Sequence, residues 1–157
     1  MRSLGNLKCM LSAVILLFFV AGCSQEPVEI HYASDECAHC KMMITDDQFA
    51  SQLVTAKGKA YKFDAIECMA VYHRENKDEL NGSRLWVSNY KEPGTWLDAF
   101  EAQYVKSEVI KSPMGASLLA LADQESGKKH IEDKAGRLLL WDEVSQIEMN
   151  MGMGMRK

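Results

Sequence analysis

The spacing of hydrophobic and polar positions changes character several times along this chain. Met10 to Val20 is an unbroken apolar run with Arg2 and Lys8 before it. That is short for a membrane span and has the length of a signal-peptide core. Apolar residues gather again from Phe49 to Ala56. Lys57-Gly58 and then Ala60 to Phe63 follow, which predicts two short strands joined by a tight hairpin turn. After Asp64, the residues Ile66, Met69, Ala70 and His73 recur at i, i+3, i+4 and i+7, the spacing of one helical face. The helix is expected to fray through Glu75 to Glu79 and to stop by Asn81-Gly82. Arg84 to Ser88 reads as a strand, and the turn-rich stretch Asn89 to Gly94 is the expected boundary between two lobes. Ser117 to Ala122 is a further apolar run, and the charged stretch Asp123 to Ala135 is expected to be partly helical.

Two segments share a plan. Residues 58–66 and 136–144 each run turn glycine, basic residue, short strand, bulky aromatic, Asp, then a helical segment. Asp64 and Asp142 are expected to cap their helices, since a carboxylate there accepts from helix-start N–H groups that otherwise lack partners. Phe63 and Trp141 then fall at the hydrophobic-staple position. Phe49 to Ala56 and Ser117 to Ala122 are the expected partner strands of the two units. The reading is an α+β fold of two small lobes, each a few strands under one helix. Its divisions are a leader at 1–22, a tether at 23–29, a first lobe at 30–90, a second at 91–148 and a flexible tail at 149–157.

The apolar run ends in Val20-Ala21-Gly22-Cys23, an arrangement that resembles a bacterial lipobox. It implies acylation of Cys23 and cleavage before it, which would tether the body to a membrane surface outside the cytoplasm. Removing residues 1–22 leaves 135 residues and takes the side-chain charge from −4 to −6. That balance argues against a nucleic-acid partner, which selects basic faces. Three thiols remain besides Cys23: Cys37, Cys40 and Cys68. An odd number outside the cytoplasm is not a complete disulfide framework.

The densest chemistry is Asp35 to Ile44, where Cys37, Cys40, Met42 and Met43 fall within seven residues. A Cys-x-x-Cys alone is ambiguous between zinc, a redox disulfide and copper. Thioethers are poor ligands for zinc, calcium or magnesium and good ones for Cu(I), so the methionines favour a soft monovalent ion. Cys37, Cys40 and Met42 are the expected Cu(I) ligands, and Met43, Cys68 and Met114 are further candidates. Cys68 and Met114 read equally as packing residues. None of the four histidines is assigned as a ligand. Met149, Met151, Met153 and Met155 alternate with Asn and Gly. That is either a weak, exchangeable Cu(I) collector or a terminus of incidental composition. No nucleophile elbow, P-loop or dinucleotide fingerprint is present, so no catalytic residue is assigned. The alternatives carried forward are a thiol–disulfide oxidoreductase using Cys37 and Cys40, and a structural zinc lipoprotein.

The lipobox-like Cys23, Cys37-x-x-Cys40-x-Met42, Tyr61-Lys-Phe-Asp64 with Glu67-Cys68-Met69, and Ser112-Pro-Met-Gly115 together resemble the NosL family of nitrous oxide reductase accessory lipoproteins. The resemblance covers essentially the whole chain after the leader. It implies an extracytoplasmic, membrane-tethered Cu(I) chaperone with nitrous oxide reductase, an enzyme of denitrification, as the client whose maturation it serves. It also implies a fold similar to a lobe of organomercurial lyase, with ββαβ-like halves. Better-studied members resemble Cys-Gly-Met with a single cysteine at the motif. This chain adds Cys37 and His39, so thiolate can replace the family's nitrogen or oxygen ligand.

Overall fold

The computed structural model describes residues 24–132 and 135–148. The leader, Cys23 and the Met-rich tail lie outside the described residues. The architecture is α+β: among the described residues there are seven strands in two antiparallel sheets, with three helices.

The first sheet has the order β2-β1-β3-β4, with β1 at Ser51–Val54, β2 at Ala60–Phe63, β3 at Arg84–Ser88 and β4 at Trp96–Asp98. β1 lies between β2 and β3 and is buried along its whole length, as a central strand of alternating two-sided burial requires. The hairpin expected around Lys57-Gly58 is present. Gly58 has φ 79 and donates its N–H to Thr55 O at 2.8 Å. β3 has the bounds read from the sequence. The expected lobe boundary at residue 91 falls inside this sheet, because β4, beyond it, pairs with β3.

α1 (Ile66–Glu75) covers one face of the sheet. Its first six residues are buried, and Tyr72 packs on the rings of Tyr61 and Phe63 at 5.2 and 5.3 Å. Burying side chains such as Phe63, Leu53 and Leu85 contributes roughly 1.5–3 kcal/mol each.

The second sheet has the order β6-β5-β7, from Gln103–Lys106 (β5), Leu118–Leu121 (β6) and Arg137–Leu139 (β7). α2 (Gln124–Ile131) packs on it, and α3 (Trp141–Val144) closes the end. Gly127 in α2 is needed for this approach: a Cβ there would stand 2.8 Å from Leu138 Cδ2 and 3.0 Å from Gln103 Cγ. One apolar core runs through both sheets, from Ile44, Phe63 and Met69 to Tyr104, Leu118 and Trp141.

Two expectations fail here. β6 and β7 do not pair with each other. Both pair with β5, a strand the hydropathy pattern did not mark. The two aspartates are not side-chain caps. The N-cap of α1 is Ala65, in extended backbone with φ −149 and ψ 155. Asp64 therefore sits one residue too early for its carboxylate to reach the helix N–H groups. Asp142 lies inside α3. There Glu143 takes the corresponding role, accepting the Leu140 N–H at 3.3 Å. Asp123 caps α2, accepting from Ser126 N–H at 2.8 Å.

Candidate metal site

The Cys37–Met42 segment is a tight turn held from both sides. Cys37 N–H donates to Met42 O at 2.8 Å, and Lys41 N–H donates to Cys37 O at 3.1 Å. Closing it puts Lys41 at φ 66, a region a lysine enters only at a cost of roughly 1–2 kcal/mol and glycine enters freely. A glycine at this position, as in the Cys-Gly-Met version that the family resemblance implies, would meet no such cost. Lys41 Nζ donates to Ala38 O at 2.8 Å. Ala38 N–H donates to Lys62 O at 2.8 Å, which fastens the turn to the edge strand β2. On the same strand Lys62 Nζ reaches Asp35 Oδ2 at 2.6 Å. This ammonium is the main reason the Asp35 carboxyl lies below its ordinary range.

The chain after β2 supplies the other half of the site. Phe63 is buried in the sheet, Asp64 leaves its end, and Cys68 stands in the first turns of α1. As a result the ligand atoms of Cys37, Cys40, Asp64 and Cys68 all lie within 4.8 Å of one another. Cys37 and Cys68 are fully buried, Asp64 is 3% exposed and Cys40 is half-buried. All three thiols are free. Cys40 Sγ is 3.5 Å from Asp64 Oδ1 and donates to it.

The three thiols differ sharply. A hydrogen bond from Cys68 brings the Cys37 thiol down to about 7, in spite of its burial. Burial first, then the neighbouring Cys37, pushes Cys40 up to about 12. Cys68 is pushed far up by its hydrogen bond to Cys37 and by burial, so it is the last of the three to release a proton.

The thioethers fall in other places. Met42 and Met43 are 55% and 52% exposed, on the solvent side of the turn. Met69 is buried in the core. Met114 is half-buried against the core and lines a cavity of about 810 Å³ with Lys106, Glu108, Arg137 and Ile147. Its loop is tied to α1 through Glu67, whose Oε1 accepts from Ser112 Oγ at 2.9 Å and from Ala116 N–H at 3.2 Å. Burial raises the Glu67 carboxyl above its ordinary range. No histidine joins the cluster among the described residues. His39 turns towards α1, with Nδ1 3.9 Å from Glu75 Oε2.

Asp64 is the site residue that sequence reading missed. Its place before a helix suggested a cap, and only the fold shows it facing the Cys40 thiol, 24 residues away. Three thiols and a carboxylate at these distances suit a thiophilic ion, either Cu(I) in low coordination or zinc in a four-ligand set.

A NosL family model matches residues 27–149. The copper-binding lipoprotein NosL of Stutzerimonas stutzeri is 30% identical over 161 aligned positions, covering 93% of this chain and 84% of the relative. The crystal structure of the copper chaperone NosL from Shewanella denitrificans has the same fold, with a TM-score of 0.67 at 18% identity. The match covers 78% of this chain and 98% of that one. With the family model spanning most of its length, this chain belongs to the NosL family.

Proposed function

We propose that the protein is a Cu(I) chaperone, tethered outside the cytoplasm by acylation of Cys23, that delivers copper for assembly of nitrous oxide reductase. The observation that carries this reading is the cluster of three free thiols and Asp64 within 4.8 Å, built by a turn, the end of β2 and the start of α1. The names of the relatives support copper as the cargo.

Cys37 and Cys40 are the primary ligands. Two thiolates beside a buried carboxylate already exceed the single charge of Cu(I). A third thiolate would add uncompensated negative charge at a site that desolvates it. Cys68 therefore keeps its proton and donates to Cys37, holding that sulfur in place. Met42 supplies the third sulfur from the solvent side. Being exposed, it is the ligand an incoming acceptor displaces first. Met43 stands beside it as a substitute thioether. Met114 and the tail methionines are auxiliary stations of lower affinity.

One observation favours a second reading. Three cysteines and an aspartate form a complete four-ligand set, so structural zinc is the competitor. Anaerobic isolation of the mature chain, followed by metal analysis and competition with a Cu(I) chelator, separates the two. One tightly bound Cu(I) that displaces zinc supports the chaperone. Zinc that excess Cu(I) leaves in place rejects it. Efficient turnover of a disulfide substrate would instead make Cys37 and Cys40 a redox pair.

A further inference from the structure

The segment joining Cys23 to the body is pinned almost from its first residue. Gln25 Nε2 donates to Val54 O at 3.2 Å and to Gly82 O at 2.7 Å, and Gln25 O accepts from Trp86 Nε1 at 2.9 Å. Three residues on, Val28 exchanges two hydrogen bonds with the buried Gln52 side chain, at 2.8 and 3.1 Å. Glu26 adds an ion pair to Arg84 at 3.7 Å. Only Ser24 separates Cys23 from Gln25 in the sequence, so acyl chains on Cys23 are joined to the clamp by a one-residue linker. The expected tether at 23–29 is thus mostly part of the folded body.

The pinning point fixes which end of the molecule the anchor occupies. Val54 is at the hairpin end of β1, opposite Ala60 and Arg84. Ser51 is at the other end, opposite Phe63, and Asp64 follows directly. Three strand steps, about 10 Å, separate the two ends. The sheet face differs as well. Ser51 Oγ donates to Ala65 O beneath α1, whereas the next residue, Gln52, bonds Val28 on the opposite face. The Gln25 clamp and the thiol cluster therefore lie at opposite ends of the sheet, and Val28 lies on the face away from the helix that carries Cys68.

We infer that the β1–β2 turn end, with Lys57, Lys59 and Gly82, faces the phospholipid surface, and that the thiol cluster is presented away from it into the aqueous phase. The inference rests on acylation of Cys23, as in the proposed function. Lys57 and Lys59 are exposed on the turn. Arg84 is engaged by Glu26 and Asp98, and the turn leading to Gly82 adds Lys77, Asp78 and Glu79. The charge at this end is close to balanced. The two lysines assist the orientation, and the short, pinned tether imposes it. A copper acceptor in the aqueous phase then meets Met42 and Cys40 without the bilayer in its way.

The test uses the full mature chain, purified with its acyl chains, in nanodiscs of phosphatidylcholine and phosphatidylglycerol doped with a gadolinium-chelating lipid. The amide signals of Gly58 and Gly82 should broaden strongly, while those of Ala38, Cys40 and Met42 keep their intensity. A Gly/Ser spacer of about ten residues between Ser24 and Gln25 should level the two ends, since a flexible linker frees the body. Equal broadening at both ends of the unmodified chain overturns the orientation. Contrast that survives the spacer overturns the role of the Gln25 clamp. A mass spectrum without acyl chains on Cys23 overturns the lipidation reading, and the orientation falls with it.

Discussion

The Sγ of Cys40 and the Oδ1 of Asp64 are 3.5 Å apart, one carried by a surface turn and the other by the residue that follows the edge strand β2. The pair joins the two halves of the site and places a negative charge beside a sulfur that must lose its proton to bind a metal. Replacing Asp64 with Asn keeps the size and removes the charge. We expect Asp64→Asn to weaken Cu(I) binding about tenfold, about 1.4 kcal/mol, in a chelator competition. An unchanged affinity would mean the carboxylate neither contacts nor attracts the ion.

The thiols should separate in rank. Cys37→Ser and Cys40→Ser are each expected to lose Cu(I) affinity by at least about a hundredfold, about 2.7 kcal/mol. Cys68→Ser retains a donor to Cys37 and should lose no more than about tenfold. Met42→Leu falls between them. Equal losses for all three cysteines would make Cys68 a direct ligand and favour the zinc-like set.

Binding should also depend on pH in two regimes. The Cys37 thiol lies at about 7, below its ordinary value, and Cys40 at about 12, above it. Metal binding displaces whatever protons the two sulfurs hold. Below about pH 7 both are protonated, so log K should rise by about two per pH unit. Above about pH 7 only the Cys40 proton remains to be displaced, and the slope should fall to about one. A single slope of one across this range, in a pH series of chelator competitions, would contradict the assignment of Cys37 as a primary ligand.

The left-handed Lys41 gives a stability test. Lys41→Val places a β-branched side chain at φ 66 and should cost about 1 kcal/mol or more in urea unfolding. Lys41→Gly relieves the strain and should be neutral to mildly stabilising, because the gain is offset by a freer unfolded chain. A destabilised glycine variant would show that the Lys41–Ala38 hydrogen bond outweighs the backbone.

Much of this fold could be read locally. The β1–β2 hairpin with its turn glycine, the helical face of α1, the strand β3 and a partly helical 123–135 linker are each legible from nearby residues. What the sequence concealed is non-local. β5 is a four-residue strand whose identity comes from pairing with both β6 and β7, and no local period marks it. Asp64 was misread for the complementary reason. A local capping pattern explained it well, while its actual partner is brought in by the packing of the 37–42 turn on β2. The Cys37–Cys40 pair was legible as a soft-metal motif. The membership of Cys68 in the cluster was left open, because position on a helix does not say what faces it.

The tail can be tested separately. Arg74 on α1 donates to Ser145 O at 2.7 Å and Ile147 O at 3.2 Å, so the chain is held to α1 up to Ile147. Tethered thioethers act at an effective concentration plausibly in the mM range. Deleting residues 149–157 should slow copper transfer to an acceptor and leave the affinity within about threefold, under about 1 kcal/mol. Unchanged transfer rates would remove any role for the tail in hand-over.

The central claim, a sulfur-rich Cu(I) site at the 37–42 turn, is met most directly by X-ray absorption at the copper edge of the anaerobically loaded mature chain. The account predicts one Cu(I) per chain in a low-coordinate shell dominated by sulfur, with that shell lost in Cys40→Ser. A shell dominated by nitrogen or oxygen, or a sulfur shell unchanged by Cys40→Ser, would contradict it.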